Sequence, residues 1–207
     1  MLLSRLKQWL PDFQRFLNLS TEVENTVPVP RETIVMHVDI VGSTQMVRRD
    51  LVSAHMKMQL LYSRICREAE RLGGKVLEIR GDAAVIEFDR PAHAVAAAQA
   101  IQTMSYLAKN SRVRLLEPLL RIGIAQGTII VSDNAVTGDA VILAQRLEQL
   151  ACPGEIMVDE KTGALLSGEK EFTLNSSGKT QLKGFSYAME VFRATFNPLV
   201  FASGNSV

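Results

Sequence analysis

The stretch TIVMHVDIVGST, residues 33–44, decides the reading of this chain. Thr33 to Ile40 is β-branched and apolar almost throughout, the composition of a buried strand. It closes on a single carboxylate, Asp39, ahead of a glycine-containing turn at Gly42. Towards the C-terminus, Asp50 to Leu72 has helical periodicity ended by Gly73 and Gly74, and Lys75 to Phe88 reads as two short strands around Gly81 and Asp82. Pro91 to Leu107 is alanine-rich with apolar residues at helical spacing, and Leu119 to Val131 reads as strand, turn at Gln126 and Gly127, strand. The order βαββαβ predicts an α+β domain of the ferredoxin-like type, an antiparallel sheet with helices on one face. Beyond it, Ala140 to Leu150 predicts a helix stopped by Pro153 and Gly154. Glu155 to Val158, Phe172 to Leu174, Thr180 to Leu182 and Ala188 to Phe192 predict short strands, with a small helix over Glu160 to Leu166.

Towards the N-terminus, Thr21 to Arg31 carries Pro28, Val29 and Pro30 among polar residues and reads as an extended linker. Before it, Leu2, Leu3, Leu6, Trp9, Leu10, Phe13, Phe16 and Leu17 form an apolar stripe with Arg5, Lys7 and Arg15 between them. That is an amphipathic helix, interrupted at Pro11, suited to docking on its own domain, on a second copy or on a membrane surface. It lacks the unbroken apolar run of a signal peptide or a span, so the sequence predicts a cytoplasmic protein. The divisions are 1–31 for helix and linker, 32–195 for a catalytic domain and 196–207 for a tail.

The 207 residues are 47% hydrophobic and 22% charged, the balance of a folded globular domain. A formal net charge of +1 provides no broad field for polyanions, and the strands lack the exposed aromatics interleaved with basic residues of a base-stacking platform. Long nucleic acid is thereby excluded as a partner, while small anionic ligands are not. Cys66 and Cys152 both fall in helical, partly buried stretches and read as reduced core thiols.

Asp39, at the end of a strand and before a glycine turn that leads into a helix, can hold a hard divalent cation while backbone N–H groups face phosphate oxygens. Asp82 follows Gly81 at a hairpin tip, where an aspartate by itself is a routine turn former. In a βαββ unit these two places lie side by side, so the carboxylates can converge on a metal pair about 3.5–4 Å apart.

The segments VDIVGST (38–44), EIRGD (78–82), RIGIAQG (121–127), TGDAVILAQRLE (137–148) and LKGF (182–185) resemble, in order, the motifs of class III nucleotidyl cyclases. The resemblance implies that Asp39 and Asp82 bind two divalent cations, Mg2+ or Mn2+, with the Ile40 carbonyl as a further ligand. It implies that the amides of Val41, Gly42, Ser43 and Thr44 cradle phosphate, that Arg146 stabilises the transferring phosphate, and that Lys183 contacts the terminal phosphates. Without the motif set, Arg146 reads as a solvent-facing helix residue and Lys183 as a loop charge. In such enzymes the aspartates come from one chain and the arginine, lysine and base-contacting groups from the other, so a homodimer with two composite sites is implied.

Three positions depart from the family pattern. Glu78 stands where adenylate cyclases have an adenine-reading lysine, and resembles the glutamate of guanylate cyclases. Ala135, or Val136 if the register is one residue on, falls at the second base reader, where no polar side chain remains. Ile142 takes the place of an asparagine that orients the ribose. Arg80, beside the turn, is a further base-side candidate. The stand-alone domain with these losses resembles the pyrimidine cyclases of bacterial antiphage defence, implying UTP as substrate. The alternatives are a guanylate cyclase and a degenerate domain that senses nucleotide.

Overall fold

The structure, a computed structural model, describes residues 29–110, 118–132 and 135–196, the side chains of 106–110 excepted. The amphipathic helix, most of the linker and all but the first residue of the tail lie outside the described residues. The elements are β1 (Arg31–Ile40), α1 (Ser43–Arg49), α2 (Leu51–Arg71), β2 (Lys75–Arg80), β3 (Ala83–Phe88), α3 (Pro91–Asn110), β4 (Leu120–Ser132), β5 (Ala135–Gly138), α4 (Asp139–Leu150), β6 (Ile156–Asp159), α5 (Glu160–Leu166), β7 (Phe172–Gln181) and β8 (Ala188–Phe196). The helix expected from Asp50 is preceded by a separate short one. Asp50 divides them in extended conformation, its carboxylate accepting from the amides of Val52 and Ser53 to cap α2.

The strands form one sheet of order β2-β3-β1-β4-β6-β8-β7, with β5 paired to β4. The first four neighbours are the ferredoxin-like core. β4 and β6 run parallel, so the sheet is mixed rather than wholly antiparallel. β1 lies centrally, and its apolar run is explained by burial on both sides. Ile34, Met36, Val38 and Ile40 pack with Leu61, Ile65, Ile101, Ile122 and Ile124 beneath α2 and α3. Val35 on the other face joins Ala125, Leu143, Ala144, Leu147 and Met157.

The two long helices of the ferredoxin-like core share one face, as expected, and α4, which lies beyond that core, covers the opposite face. Gly123 and Gly127, four residues apart on one face of β4, allow the approach. A Cβ at Gly123 would stand 2.0 Å from the Ala144 carbonyl oxygen and 2.4 Å from the Glu148 nitrogen. At Gly127 it would meet the Asp139 carboxylate oxygen at 2.8 Å. The expected turn at Gln126 and Gly127 is therefore absent; glycine serves helix-to-strand packing there, and β4 runs on unbroken. The two short strands expected within 172–182 are likewise one strand with an irregularity between Ser176 and Lys179. Cys152 is exposed, contrary to the core reading, whereas Cys66 is half-buried; both are free thiols. Among the described residues no helix is long and apolar enough to cross a membrane.

Candidate active site

The register places the two aspartates together. Asp39 pairs with Ala83 across β1 and β3, and the Ile40 amide donates to the Asp82 carbonyl at 3.2 Å. Asp82 sits with Gly81 in the two-residue hairpin between Arg80 and Ala83, and Gly81 supplies the left-handed conformation (φ 62°) the turn requires. The buried Ser43 hydroxyl donates to Asp82 Oδ2 at 2.5 Å. Arg121 Nη2 donates to Asp39 Oδ2 at 2.5 Å.

Past Asp39 the chain turns through Gly42 into α1. The Gln45 and Met46 amides bond back to the Gly42 carbonyl, leaving the Gly42, Ser43 and Thr44 amides ahead of the helical ladder. The Val41 amide is spent differently: it donates to the Leu119 carbonyl at 2.9 Å. Of the four amides expected to cradle phosphate, the Val41 amide is therefore already engaged.

Two carboxylates and a neighbouring carbonyl form a hard oxygen donor set. Among the described residues there is no group of three or more His, Cys, Asp or Glu that could hold a metal ion. The set fits Mg2+ or Mn2+ nonetheless, because such ions use one or two carboxylates and complete their shell with water and substrate phosphates. Both carboxylates are also held now by partners, a hydroxyl and a guanidinium, that an ion can replace.

The remaining expected residues form two further groups. Arg146 Nε donates to the Lys183 carbonyl at 3.1 Å and its Nη1 to Gln149 Oε1 at 3.0 Å, so the two phosphate-contacting candidates meet. Among the described residues neither makes a hydrogen bond or ion pair to Asp39 or Asp82. On the base side, Glu78 forms a close ion pair with Arg80 along β2. β5, which carries Ala135, packs beside β2. Ile142 is 47% exposed on α4.

Three groups at the site were not singled out in the sequence. Arg121 stands opposite Asp39 in the β1–β4 register, while Glu148 and His37 are buried behind it. Arg121 Nε lies 2.9 Å from Glu148 Oε1, and His37 Nδ1 lies 3.8 Å from Glu148 Oε2. Burial, reinforced by Asp39, pushes the Glu148 carboxyl up to about 7. Burial pushes the His37 imidazole down to about 4, so it is neutral at pH 7. The hydrogen bond to Asp39 raises the Arg121 pKa and keeps the guanidinium charged. A signal for Glu148 existed: it lies on the apolar stripe of Ala140, Leu143, Ala144 and Leu147. Arg121 could be found only once the register was known.

Sheet order, the helix across the far face and the two neighbouring aspartates define the class: an α+β domain with a mixed sheet and a pair of carboxylates where β1 ends beside the β2–β3 hairpin. The family model of the adenylate and guanylate cyclase catalytic domain matches residues 29–194, and the chain belongs to that family. Among curated relatives, it is 25% identical over 169 residues to the putative adenylate cyclase 3 of Rhizobium meliloti (strain 1021), covering 81% of this chain and 28% of that protein. It is 26% identical over 166 residues to an adenylate cyclase of Glutamicibacter nicotianae, covering 79% and 40% respectively. The chain thus spans less than half the length of these relatives. Among solved structures, the adenylyl cyclase CyaB from P. aeruginosa superimposes with a TM-score of 0.73 at 21% identity, covering 81% of this chain and 95% of that one. The guanylate cyclase domain of RhGC from Catenaria anguillulae, in complex with GTP, gives 0.70 at 22% identity, covering 82% and 99%.

Proposed function

We propose that this chain converts a nucleoside triphosphate to a 3′,5′-cyclic monophosphate and pyrophosphate as a cytoplasmic homodimer, with UTP as the preferred substrate and antiphage signalling as its role. Support for the chemistry comes from the carboxylate pair at the edge of the sheet. Two divalent cations held by Asp39, Asp82 and the Ile40 carbonyl would help the ribose 3′-oxygen to attack and neutralise charge on the departing pyrophosphate. The protein's own part is positioning and fixed charge. The amides of Gly42, Ser43 and Thr44 face phosphate oxygens, and the guanidinium of Arg146 balances charge as the bond from the α-phosphorus to the bridging oxygen breaks. Lys183 holds the terminal phosphates. Arg146 and Lys183 meet each other and not the aspartates, as expected if they serve the site of a second copy.

The observation that carries the base is the Glu78–Arg80 pair. Its carboxylate accepts and its guanidinium donates, side by side on one strand. The uracil edge presents N3–H between two carbonyl oxygens, which matches one acceptor and one donor. Guanine, with O6 beside two N–H donors, can use both groups as well but brings a larger ring. Adenine has no ring N–H to donate to the carboxylate and is less well matched, at a cost of about 1–3 kcal/mol when buried. Ala135 has no polar side chain with which to make up the difference. GTP ranks second and ATP last.

The experiment is incubation of the purified chain with ATP, GTP, CTP and UTP separately, each with Mg2+ and with Mn2+, comparing kcat/KM. UTP is expected to lead. A tenfold preference for GTP would make this a guanylate cyclase, and binding without turnover of any triphosphate would favour the sensor reading, for which exposed Ile142 in place of the ribose-orienting asparagine is the specific motive.

A further inference from the structure

A single half-buried cation is divided unequally between two carboxylates behind the metal-facing edge. Arg121 has a well-made arm, Nη2 to Asp39 Oδ2 at 2.5 Å. Its other arm, Nε, is 2.9 Å from Glu148 Oε1 yet not aligned with it: both atoms are buried without a hydrogen-bond partner. Glu148 is only 3% exposed, and it faces the Asp39 carboxylate and His37 as well as Arg121, whose guanidinium is in ion-pair range of both carboxylates. The guanidinium fork has a fixed shape and can satisfy one of these carboxylates well at a time in this position.

We propose that Arg121 is a transferable counter-ion, which holds Asp39 while the site is free of metal and moves its pairing to Glu148 when a divalent cation claims Asp39. The proposal rests on the reading of Asp39 and Asp82 as metal ligands. Two neighbouring carboxylates repel each other, and a guanidinium between them and the interior relieves that repulsion. The same guanidinium would repel an arriving cation if it stayed 2.5 Å from a ligand oxygen. It must withdraw, and a half-buried arginine without a partner is costly. Glu148 provides the partner, because a small rotation aligns an arm already at 2.9 Å. Glu148 is thus a positioning residue: it touches no ion and acts through Arg121. It also sits two places from Arg146 on α4, so the helix that offers a cation to phosphate also anchors the arginine beside the metal ligands.

Mn2+ binding in the absence of nucleotide, followed by the electron paramagnetic resonance signal of the free ion, tests this without reference to turnover. Arg121→Gln is expected to tighten Mn2+ binding about 5- to 10-fold, since the competitor for Asp39 is gone, and Glu148→Gln to weaken it by a similar factor, since Arg121 is left with Asp39 alone. The double variant should bind like Arg121→Gln. Should Arg121→Gln fail to fold, Arg121→Met keeps the packing of the stem and carries the same expectation. Unchanged or weaker binding on removal of Arg121 overturns the proposal. So does weakening by Glu148→Gln that persists in the Arg121→Gln background, which would make Glu148 a ligand itself. Asp39→Ala separates this from the underlying reading: if that variant binds Mn2+ as the parent does, the metal assignment is what fails.

Discussion

At the scale of single residues, the polar groups divide by how deeply they are buried. Asp39 and Asp82 lie at the rim, and Asp39→Ala or Asp82→Ala is expected to abolish turnover while the thermal transition stays close to that of the parent; near-parental activity in Mn2+ for either would refute their role. Ile142 is 47% exposed, so Ile142→Asn costs little stability. If an unoriented ribose limits turnover, that substitution raises kcat about tenfold, read under saturating triphosphate. Deeper in, Glu148 and His37 have opposite linkage to pH. His37, ordinarily at 6.5 and here at about 4, binds fewer protons folded than unfolded, so its contribution to stability rises with pH across that window. Glu148, ordinarily at 4.5 and here at about 7, binds more protons folded, so its contribution falls as pH rises from 4.5 to 7. The two slopes largely oppose each other in the intact protein. In chelator, the Tm of Glu148→Gln relative to the parent is therefore expected to climb between pH 4.5 and 7 and then level off; a difference that ignores pH would mean that Glu148 titrates normally.

At the scale of elements, the seat of α4 on β4 organises the site. The helix comes so close at Gly123 that even a methyl group must displace backbone. Gly123→Ala is expected to cost about 1–3 kcal/mol, a loss of several degrees in Tm. Turnover should fall further than stability, because α4 carries both Arg146 and Glu148; equal activity at a temperature where the variant is folded would show that the seat is not needed. The hairpin β2–β3 is the other positioning element, with Asp82 at its tip and Glu78 and Arg80 along one strand. Much of this was legible: the strand ending at Asp39, the hairpin at Gly81 and Asp82, and the helix over 160–166 follow from apolar runs and turn residues. The errors share a cause. Gly127 has the composition of a turn, but the requirement it meets is the close passage of a helix distant in sequence, which local pattern does not encode.

At the scale of the whole molecule, the aspartates and the pair Arg146 and Lys183 are separate groups within one chain. Mixing Asp39→Ala with Arg146→Ala, each inactive alone, is expected to restore activity, approaching one working site in each mixed dimer. Persistent inactivity in verified heterodimers would assign all the parts to one chain. The family match over residues 29–194 agrees with this scale of organisation, a domain of cyclase type rather than a set of isolated motifs.

The sequence by itself determined the βαββαβ order, the placing of Asp39 at a strand end and Asp82 at a hairpin tip, and the family resemblance. Each of these is local, set by the period of apolar residues and by turn chemistry within a few positions. Only the tertiary structure decided that α4 covers the far face, that the Val41 amide is already engaged, and that Arg121 is divided between Asp39 and Glu148. Asp39 and Arg121 are 82 residues apart and meet because β1 and β4 pair in one register. A shift of one residue in that pairing would turn Arg121 to the opposite face of the sheet.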